Sequence, residues 1–278
     1  MSIAINIVLL IIVGIIIYFS YSKKSKEEIE NHSNPIETEK EFEKNMKILE
    51  KFKKKAFLPI TVENKNTFSE KSKIGGFPYL RNENDWPKCP NCEKNMQLFL
   101  QLNLQQLPEK KEQGLIQLFY CTTNEPLCES DLEAFFPFSK SVECRKIETN
   151  GISASIEPLV DEIFNEKLIT GWTSKDDYPH PEEYEKLGIE IDLEDNVYEL
   201  MEEKGVGLPI ENDKLYGWPY WIQSVEYPFD RKTEKQMELL FQFDSEDNLP
   251  YMFGDSGIGH LTQSPDNDEE LGFGWACC

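Results

Sequence analysis

The chain has 278 residues, long enough for one large domain or two small ones, and carries 29 Lys and Arg against 51 Asp and Glu. A formal charge of −22 disfavours nucleic acid, whose phosphates attract clustered basic side chains. The 12% aromatic content and five Trp exclude a disordered acidic chain, and seven Cys are too few for a disulfide scaffold.

The first 22 residues contain no charged side chain, and the first charge is Lys23. This stretch is long enough to cross a bilayer as a helix. A cleaved signal peptide or a buried core helix are the alternatives, although no basic residue precedes the apolar run. Because the basic residues all follow it, the positive-inside rule predicts a single-pass membrane protein whose C-terminal body faces the cytoplasm.

Residues 23–55 form a charged segment, which we interpret as a juxtamembrane helix or linker between the predicted span and the body at 56–278. Pro35 suits a helix entry. Apolar residues recur beyond it at helical spacing: Phe42, Met46, Leu49 and Phe52.

The body contains an internal repeat with an offset of 141 residues. Residues 72–104 align with 213–245 without a gap, and ten of the 33 pairs are identical. The period is far longer than that of solenoid repeats. We therefore predict one domain made of two related halves, at about 72–128 and 213–264.

Each half reads as a Gly-aromatic-Pro turn followed by two short strands, because apolar and aromatic runs there are bounded by turn residues. The predicted strands are 98–104 and 115–120 in the first half, and 239–243 and 258–263 in the second. Residues 157–205 are acidic and rich in helix formers, which predicts short helices and exposed loops. The predicted fold is therefore α+β, a β-rich mixed domain built by duplication and preceded by an N-terminal transmembrane helix.

Four cysteines fall in the first half with the spacing of a metal site: Cys89, Cys92, Cys121 and Cys128. A thioredoxin-like C-x-x-C pair is the alternative for the first two, but it needs a strand leading into a helix. At the positions that match Cys89, Cys92 and Cys121, the second half has Asp230, Thr233 and Ser264. Segregation of the thiols into one half predicts one structural zinc ion; the alternative is four buried thiols without a metal.

A cluster of acidic residues near Gly turns could form a different site, that of a metal-dependent hydrolase. Its members are Asp244, Glu246, Asp247, Asp255 and His260. The spacing matches no calcium loop, and Asx-rich turns are an equally simple interpretation. His260 aligns with Gln117 as a strand residue, and the sequence has no phosphate-binding loop.

The motif order resembles the YwqG-like family of bacterial proteins, a domain of unknown function, over about 56–278. The motifs are KIGGFPY at 73–79, WPKCPNC at 86–92, FLQLN at 99–103, LFYC at 118–121, FQFDSEDN at 241–248 and GDSG at 254–257. The resemblance implies a single mixed, β-rich domain. Some relatives carry a second C-x2-C knuckle in the later half, from which Asp230 and Thr233 depart.

These features predict an acidic protein-interaction domain, immunity-like or chaperone-like, that binds a basic protein and no nucleic acid. The acidic segment 161–213 would steer such a partner by complementary charge, or it could simply confer solubility. The sequence assigns no catalytic residue, and the hydrolase above is the alternative function. A membrane-tethered scaffold without a dedicated ligand is a third.

Overall fold

A computed structural model describes residues 35–109, 112–160, 162–191 and 193–278. It divides into two compact units. One comprises the described residues of Met1–Lys51 and Glu190–Val206, and the other comprises Phe52–Ile189 and Gly207–Cys278.

The described residues form four helices and ten strands. The helices are α1 (Pro35–Leu49), α2 (Cys128–Asp131), α3 (Tyr184–Leu187) and α4 (Asp195–Lys204), and two 3-10 turns lie at Leu104–Gln106 and Pro181–Glu183. The strands are β1 (Lys54–Asn64), β2 (Lys73–Ile74), β3 (Gln97–Asn103), β4 (Leu115–Tyr120), β5 (Val142–Ile147), β6 (Glu166–Asp177), β7 (Lys214–Tyr216), β8 (Glu238–Asp244), β9 (Ile258–Gln263) and β10 (Leu271–Ala276).

The smaller unit contains α1 and α4. Phe42 of α1 is buried and lies beneath the ammonium of Lys204, 5.0 Å from the ring centre. Asn196 Nδ2 donates to Thr38 Oγ1 at 2.9 Å. The helix predicted within 23–55 begins at Pro35, and the part before it lies outside the described residues.

The larger unit is one antiparallel sheet in the order β10-β9-β8-β7-β1-β6-β2-β3-β4-β5. When the two predicted halves are extended to their neighbouring strands, the first half contributes β1–β5 and the second half β6–β10. The first strand of each half is exchanged: β1 pairs with β7, and β6 pairs with β2. The strands β1 and β6 also pair with each other, so the two halves interlock at the centre of the sheet.

The edge strands β5 and β10 contact each other, so the sheet curls into a near-barrel around an apolar core. The strands predicted at 98–104, 115–120, 239–243 and 258–263 are confirmed as β3, β4, β8 and β9. The core is rich in aromatic side chains from both halves: Phe99, Tyr120, Phe241, Phe243, Phe253 and Phe273.

The predicted α+β class is wrong: the described chain is mostly β-sheet with few helices. The difference arises in 157–205, for which the sequence predicts short helices and loops. Its residues 166–177 form β6, a twelve-residue strand at the centre of the sheet. Its burial does not alternate with the two-residue period that marks a half-buried strand, and its second part is charged and exposed.

The predicted single-pass membrane protein with a cytoplasmic body is also corrected. Within the residues that the structure describes, no helix has both the length and the apolar character needed to cross a bilayer. The span predicted at 1–22 lies outside the described residues.

Each half buries one lysine against a carboxylate of β6. Lys73 Nζ lies 2.9 Å from Glu166 Oε2, Lys214 Nζ lies 3.0 Å from Asp177 Oδ2, and all four side chains have 0% exposure. The two lysines are related by the 141-residue offset, whereas the carboxylates come from opposite ends of one strand. A buried charge without a partner is costly, so these pairs hold the exchanged strand in register.

A buried glutamine repeats in the same way beside each lysine. Gln101 accepts from the amide of Tyr79 at 2.8 Å and donates to the carbonyls of two residues between β1 and β2. Gln242 accepts from the amide of Tyr220 at 2.8 Å and donates to three carbonyls before β7. The Gly-aromatic-Pro turn is thus fixed onto the sheet identically in both halves.

Candidate metal centre

The four predicted cysteine ligands come from three neighbouring segments of the first half. Cys89 and Cys92 lie in a tight knuckle, in which the amide of Cys89 donates to the Lys94 carbonyl at 3.0 Å. Cys121 directly follows β4, and Cys128 is the first residue of α2. Cys89, Cys121 and Cys128 are buried and Cys92 is half-buried.

The cysteine sulfurs converge on one point. All four Sγ atoms lie within 4.8 Å of one another, and Cys92 Sγ lies 3.7 Å from Cys121 Sγ. In a tetrahedral centre with Zn–S bonds of about 2.3 Å, sulfurs are about 3.8 Å apart. The donor set therefore fits zinc after small side-chain movements, and with four protein ligands it leaves no open position for water or substrate.

Without a metal the thiols differ in acidity. Burial raises the pKa of Cys121 well above its ordinary range, and burial with hydrogen bonds to the neighbouring thiols raises the pKa of Cys128 to about 11. Burial also opposes ionisation of Cys92, but hydrogen bonds with Thr123 and the Lys94 amide lower its pKa to about 7. Zinc would bind all four as thiolates and displace protons, so its affinity rises with pH.

The second half has the same knuckle without thiols. The amide of Asp230 donates to the Lys235 carbonyl at 2.8 Å, as Cys89 donates to Lys94. Glu93 and Glu234, one in each knuckle, both have positive φ values, 61° and 56°. The backbone turn is therefore common to both halves and does not depend on a metal ligand.

Hydrogen bonds replace the thiols in the second knuckle. Asp230 Oδ1 accepts from the amides of Lys232 at 2.7 Å and Thr233 at 2.8 Å. The Ser264 hydroxyl and these two amides lower the pKa of Asp230 to about 2. By sheet register Ser264 stands where Cys121 stands in the first half, since Gln263 pairs with Glu238 as Tyr120 pairs with Gln97.

The alternative acidic residues do not gather into one site with His260. Asp244 ends β8 and is half-buried, whereas Glu246, Asp247 and Asp255 are exposed on the turns that follow. Among the described residues the four cysteines are the group of three or more ligand side chains that could hold a metal ion. Burial, reinforced by the charges of Glu211 and Asp247, raises the pKa of Asp244 to about 6.

The repeat explains the hydrogen bonds of Asp247 and its neighbour Asp213. Asp247 Oδ2 accepts from the amide of Asp213 at 3.1 Å, and Gln106 Oε1 accepts from the amide of Ser72 at 3.0 Å. Asp213 Oδ1 accepts from the amide of Asp244 at 2.8 Å, as the Ser72 hydroxyl accepts from Asn103. These carboxylates occupy positions that neutral side chains fill in the first half.

His260 lies on β9 opposite Gln242, the position that Gln117 has opposite Gln101. Its Nε2 is 3.1 Å from the Tyr220 carbonyl, which can only accept, so Nε2 carries the proton. Gln117 Nε2 donates in the same way to the Tyr79 carbonyl at 2.8 Å. Burial, with the nearby Lys214 charge, lowers the pKa of His260 to about 3.

A half-buried carboxylate network lies beside the cysteines, and the sequence does not identify it. The carboxylate of Glu129, next to Cys128, accepts from the hydroxyls of Tyr120, at 2.7 Å, and Tyr251. Trp275 Nε1 donates to the Tyr120 hydroxyl at 2.9 Å. This network joins α2 to the second half, and no spacing in the sequence marks it, because its members are far apart in the chain.

The fold and site define a β-sheet domain made of two interlocked halves, one of which has a four-cysteine centre. Residues 72–274 match the model of a family described as Domain of unknown function (DUF1963). The chain belongs to this family. No curated protein matches the chain.

Proposed function

We propose that this domain is a zinc-stabilised protein-interaction module without a catalytic centre. The observation that carries the proposal is the convergence of four cysteine sulfurs within 4.8 Å. Such a closed set supports a structural ion, because catalytic zinc keeps one position for water or substrate. Within the DUF1963 family, the motifs quoted above favour a YwqG-like member.

Elemental analysis of the purified chain tests the metal. We expect one zinc per chain under reducing, chelator-free conditions, lost in Cys89→Ser and Cys121→Ser. Cys144→Ser is the matched control, because Cys144 lies on β5 outside the four-cysteine cluster, and it should retain the zinc. A wild-type chain without zinc would refute the structural ion.

The acidic balance supports the interaction role. A formal charge of −22 creates a field that accelerates encounter with a basic protein and disfavours acidic ones. His260, the candidate acid–base group, uses its Nε2 to donate to the Tyr220 carbonyl. This favours a binding function for the domain over a hydrolase. We propose a basic protein partner in an immunity-like or chaperone-like role.

Affinity capture at two ionic strengths tests the partner. The immobilised chain is incubated with a bacterial lysate at about 0.05 M and about 0.5 M salt, since screening weakens surface electrostatics. An unrelated acidic protein of similar charge serves as the control matrix. We expect basic proteins that the control does not retain and that high salt releases; capture that is indifferent to salt, or no capture, contradicts the proposal.

A further inference from the structure

The first half is covered by an irregular segment of its own chain, residues 152–160 and 162–165, which we call the covering segment. Its apolar side chains Ala154, Ile156 and Ile163 pack against a buried cluster of the first half. The cluster comprises Leu80, Trp86, Cys89, Met96, Leu98, Phe119, Cys121 and Cys128, with Phe68 and Phe77 packed beside it.

The covering segment is also held through its backbone. The amide of Asn95 donates to the Leu159 carbonyl at 3.2 Å, and the amide of Leu159 donates back to Asn95 Oδ1 at 2.8 Å. Gln97 Nε2 donates to the Glu162 carbonyl. Asn95, two residues before β3, and Gln97, its first residue, thus both bind polypeptide backbone.

Among the described residues, the corresponding surface of the second half has no such covering segment over its whole length and forms a groove. The groove has a volume of about 680 Å³, within the usual range for ligand sites. Repeat partners of the first-half cluster line it: Trp218 for Phe77, Tyr227 for Trp86, Met237 for Met96, Leu239 for Leu98 and Ser264 for Cys121. We call this cavity the second-half groove.

Part of the second-half groove is closed by the segment leading into α3. The Glu183 carboxylate accepts from Trp221 Nε1 at 2.8 Å and from the Tyr227 hydroxyl at 2.9 Å. Gln236, the partner of Asn95, accepts from Lys186 with its side chain. Its amide, which corresponds to the amide that binds Leu159, has no acceptor among the described residues.

The charges of the second-half groove favour a cationic occupant. Its lysines are already engaged: Lys54 lies 3.6 Å above the Trp218 ring, Lys55 pairs with Asp176, and Lys186 bonds Gln236. In the repeat alignment Glu238 corresponds to Gln97, so a carboxylate that accepts hydrogen bonds replaces a side-chain amide that donates one. The exposed carboxylate of Glu238 makes no hydrogen bond or ion pair among the described residues, although its charge opposes the burial that lowers the pKa of Lys54.

We propose that the second-half groove binds an extended segment of a partner protein, which places a Lys or Arg side chain against Glu238. The segment occupies the surface that the covering segment occupies in the first half, and the amide of Gln236 donates to its backbone. This inference rests on the proposed interaction function and names the surface that performs it.

Selection from a random 12-residue peptide library displayed on phage tests the groove. We expect enrichment of peptides in which one Lys or Arg is flanked by apolar residues. Fluorescence anisotropy then measures an enriched peptide against the wild-type chain and three variants. Glu238→Lys should weaken binding at least tenfold, and Glu238→Gln should weaken it severalfold, whereas Glu83→Lys should leave it unchanged.

Glu83 is the matched control because it is exposed, lies in the first half and has no hydrogen-bond or ion-pair partner among the described residues. Glu238 is exposed at the start of β8, so neither Glu238 variant should disturb the fold, and urea unfolding checks this. Failure to enrich any peptide, or equal binding by Glu238→Lys, overturns the groove proposal. Self-association lost in Glu238→Lys would overturn it in favour of a second copy.

The outcome separates the groove from the general function. If salt-sensitive capture of basic proteins persists in Glu238→Lys, the interaction function stands and the second-half groove is not its surface. If the peptide binds but no basic protein is captured, the groove stands and the broad charge-based interaction does not.

Discussion

The two halves differ most where the first has Cys89, Cys92 and Cys121 and the second has Asp230, Thr233 and Ser264. The backbone of the knuckle is the same in both, with matching amide–carbonyl bonds and a positive φ at the same position. One half brings four thiols within 4.8 Å of one another, and the other joins an ionised carboxylate to amides and a hydroxyl. The same turn therefore supports either a group of converging thiols or a hydrogen-bonded carboxylate.

Removing a predicted zinc ligand should have the largest effect. Cys89→Ser should abolish metal binding and lower the free energy of unfolding by more than about 4 kcal/mol, because metal-binding energy contributes to folding. Zinc analysis and urea unfolding measure both quantities. Thr233→Ser, at the position matching Cys92, should change stability by less than about 1 kcal/mol.

A combined swap sharpens the comparison of the knuckles. Cys89→Asp/Cys92→Thr/Cys121→Ser gives the first knuckle the residues of the second. The variant should contain no zinc, yet lose less stability than Cys89→Ser, because the new carboxylate can accept from the amides of the turn. A greater loss than in Cys89→Ser would show that the two knuckles are not interchangeable.

The buried lysines should respond alike in the two halves. Lys73→Met and Lys214→Met should each cost about 3 kcal/mol, since each leaves a buried carboxylate without its counter-charge. Chemical unfolding measures the loss. Lys214→Met combined with Asp177→Asn should recover part of it, and a double variant as unstable as the single one would contradict an ion-pair origin.

The stability of the protein should depend on pH through Asp213, whose counterpart in the first half, Ser72, does not titrate. Burial, with the charge of Asp247, raises the pKa of Asp213 to about 8, above its unfolded value of about 3.9. The folded state therefore binds this proton more tightly, and the stability so gained is present below about pH 4 and lost as the pH rises through 8.

Asp213→Ser, which installs the residue of the first half, tests this sign. Relative to the variant, the wild type should lose at most about 1.4 kcal/mol per pH unit between about pH 5 and 8. Urea unfolding across that range measures the difference. Parallel profiles for wild type and variant would show that Asp213 does not titrate there.

The smallest effect is expected at His260, where the first half has Gln117 as the hydrogen-bond donor. His260→Gln preserves a hydrogen bond to the Tyr220 carbonyl, as Gln117 makes one to Tyr79, and should change stability by less than about 1 kcal/mol. His260→Leu leaves that carbonyl unsatisfied and should cost about 1–3 kcal/mol. Thermal unfolding compares them; equal losses would mean that the hydrogen bond contributes little.

Strands with strong apolar runs were predictable from the sequence. The runs at 98–104 and 115–120 correspond to β3 and β4 because both strands are buried over nearly their whole length. The central strand β6 was not predictable, since its partners β1 and β2 lie far away in the chain and its surface is half exposed. Its pairing with β1 and β2, and not its local sequence pattern, makes β6 a strand.

The candidate metal centre was predictable for a different reason. Comparing the halves isolated the four cysteines, and the structure brings their sulfurs together. The buried Lys73 and Lys214 were not recognised, because a lysine in a sequence is usually exposed. Their identity at the 141-residue offset, next to the repeated Gly-aromatic-Pro turn, was the signal that could have found them. The covering segment has no periodic pattern, so no local rule predicts it.

The exchange of β1 and β6 has a consequence for how such a chain could be divided. A fragment holding only β1–β5 would present β2 with one side unpaired and β1 with no neighbour on either side. Two fragments, each with five strands, would complete one another's sheet only by associating. The strands of this chain are therefore connected like those of a domain-swapped dimer whose two subunits are joined covalently. Because the halves are joined, the sequence of one half can diverge while the other half still supplies the strand that completes its sheet.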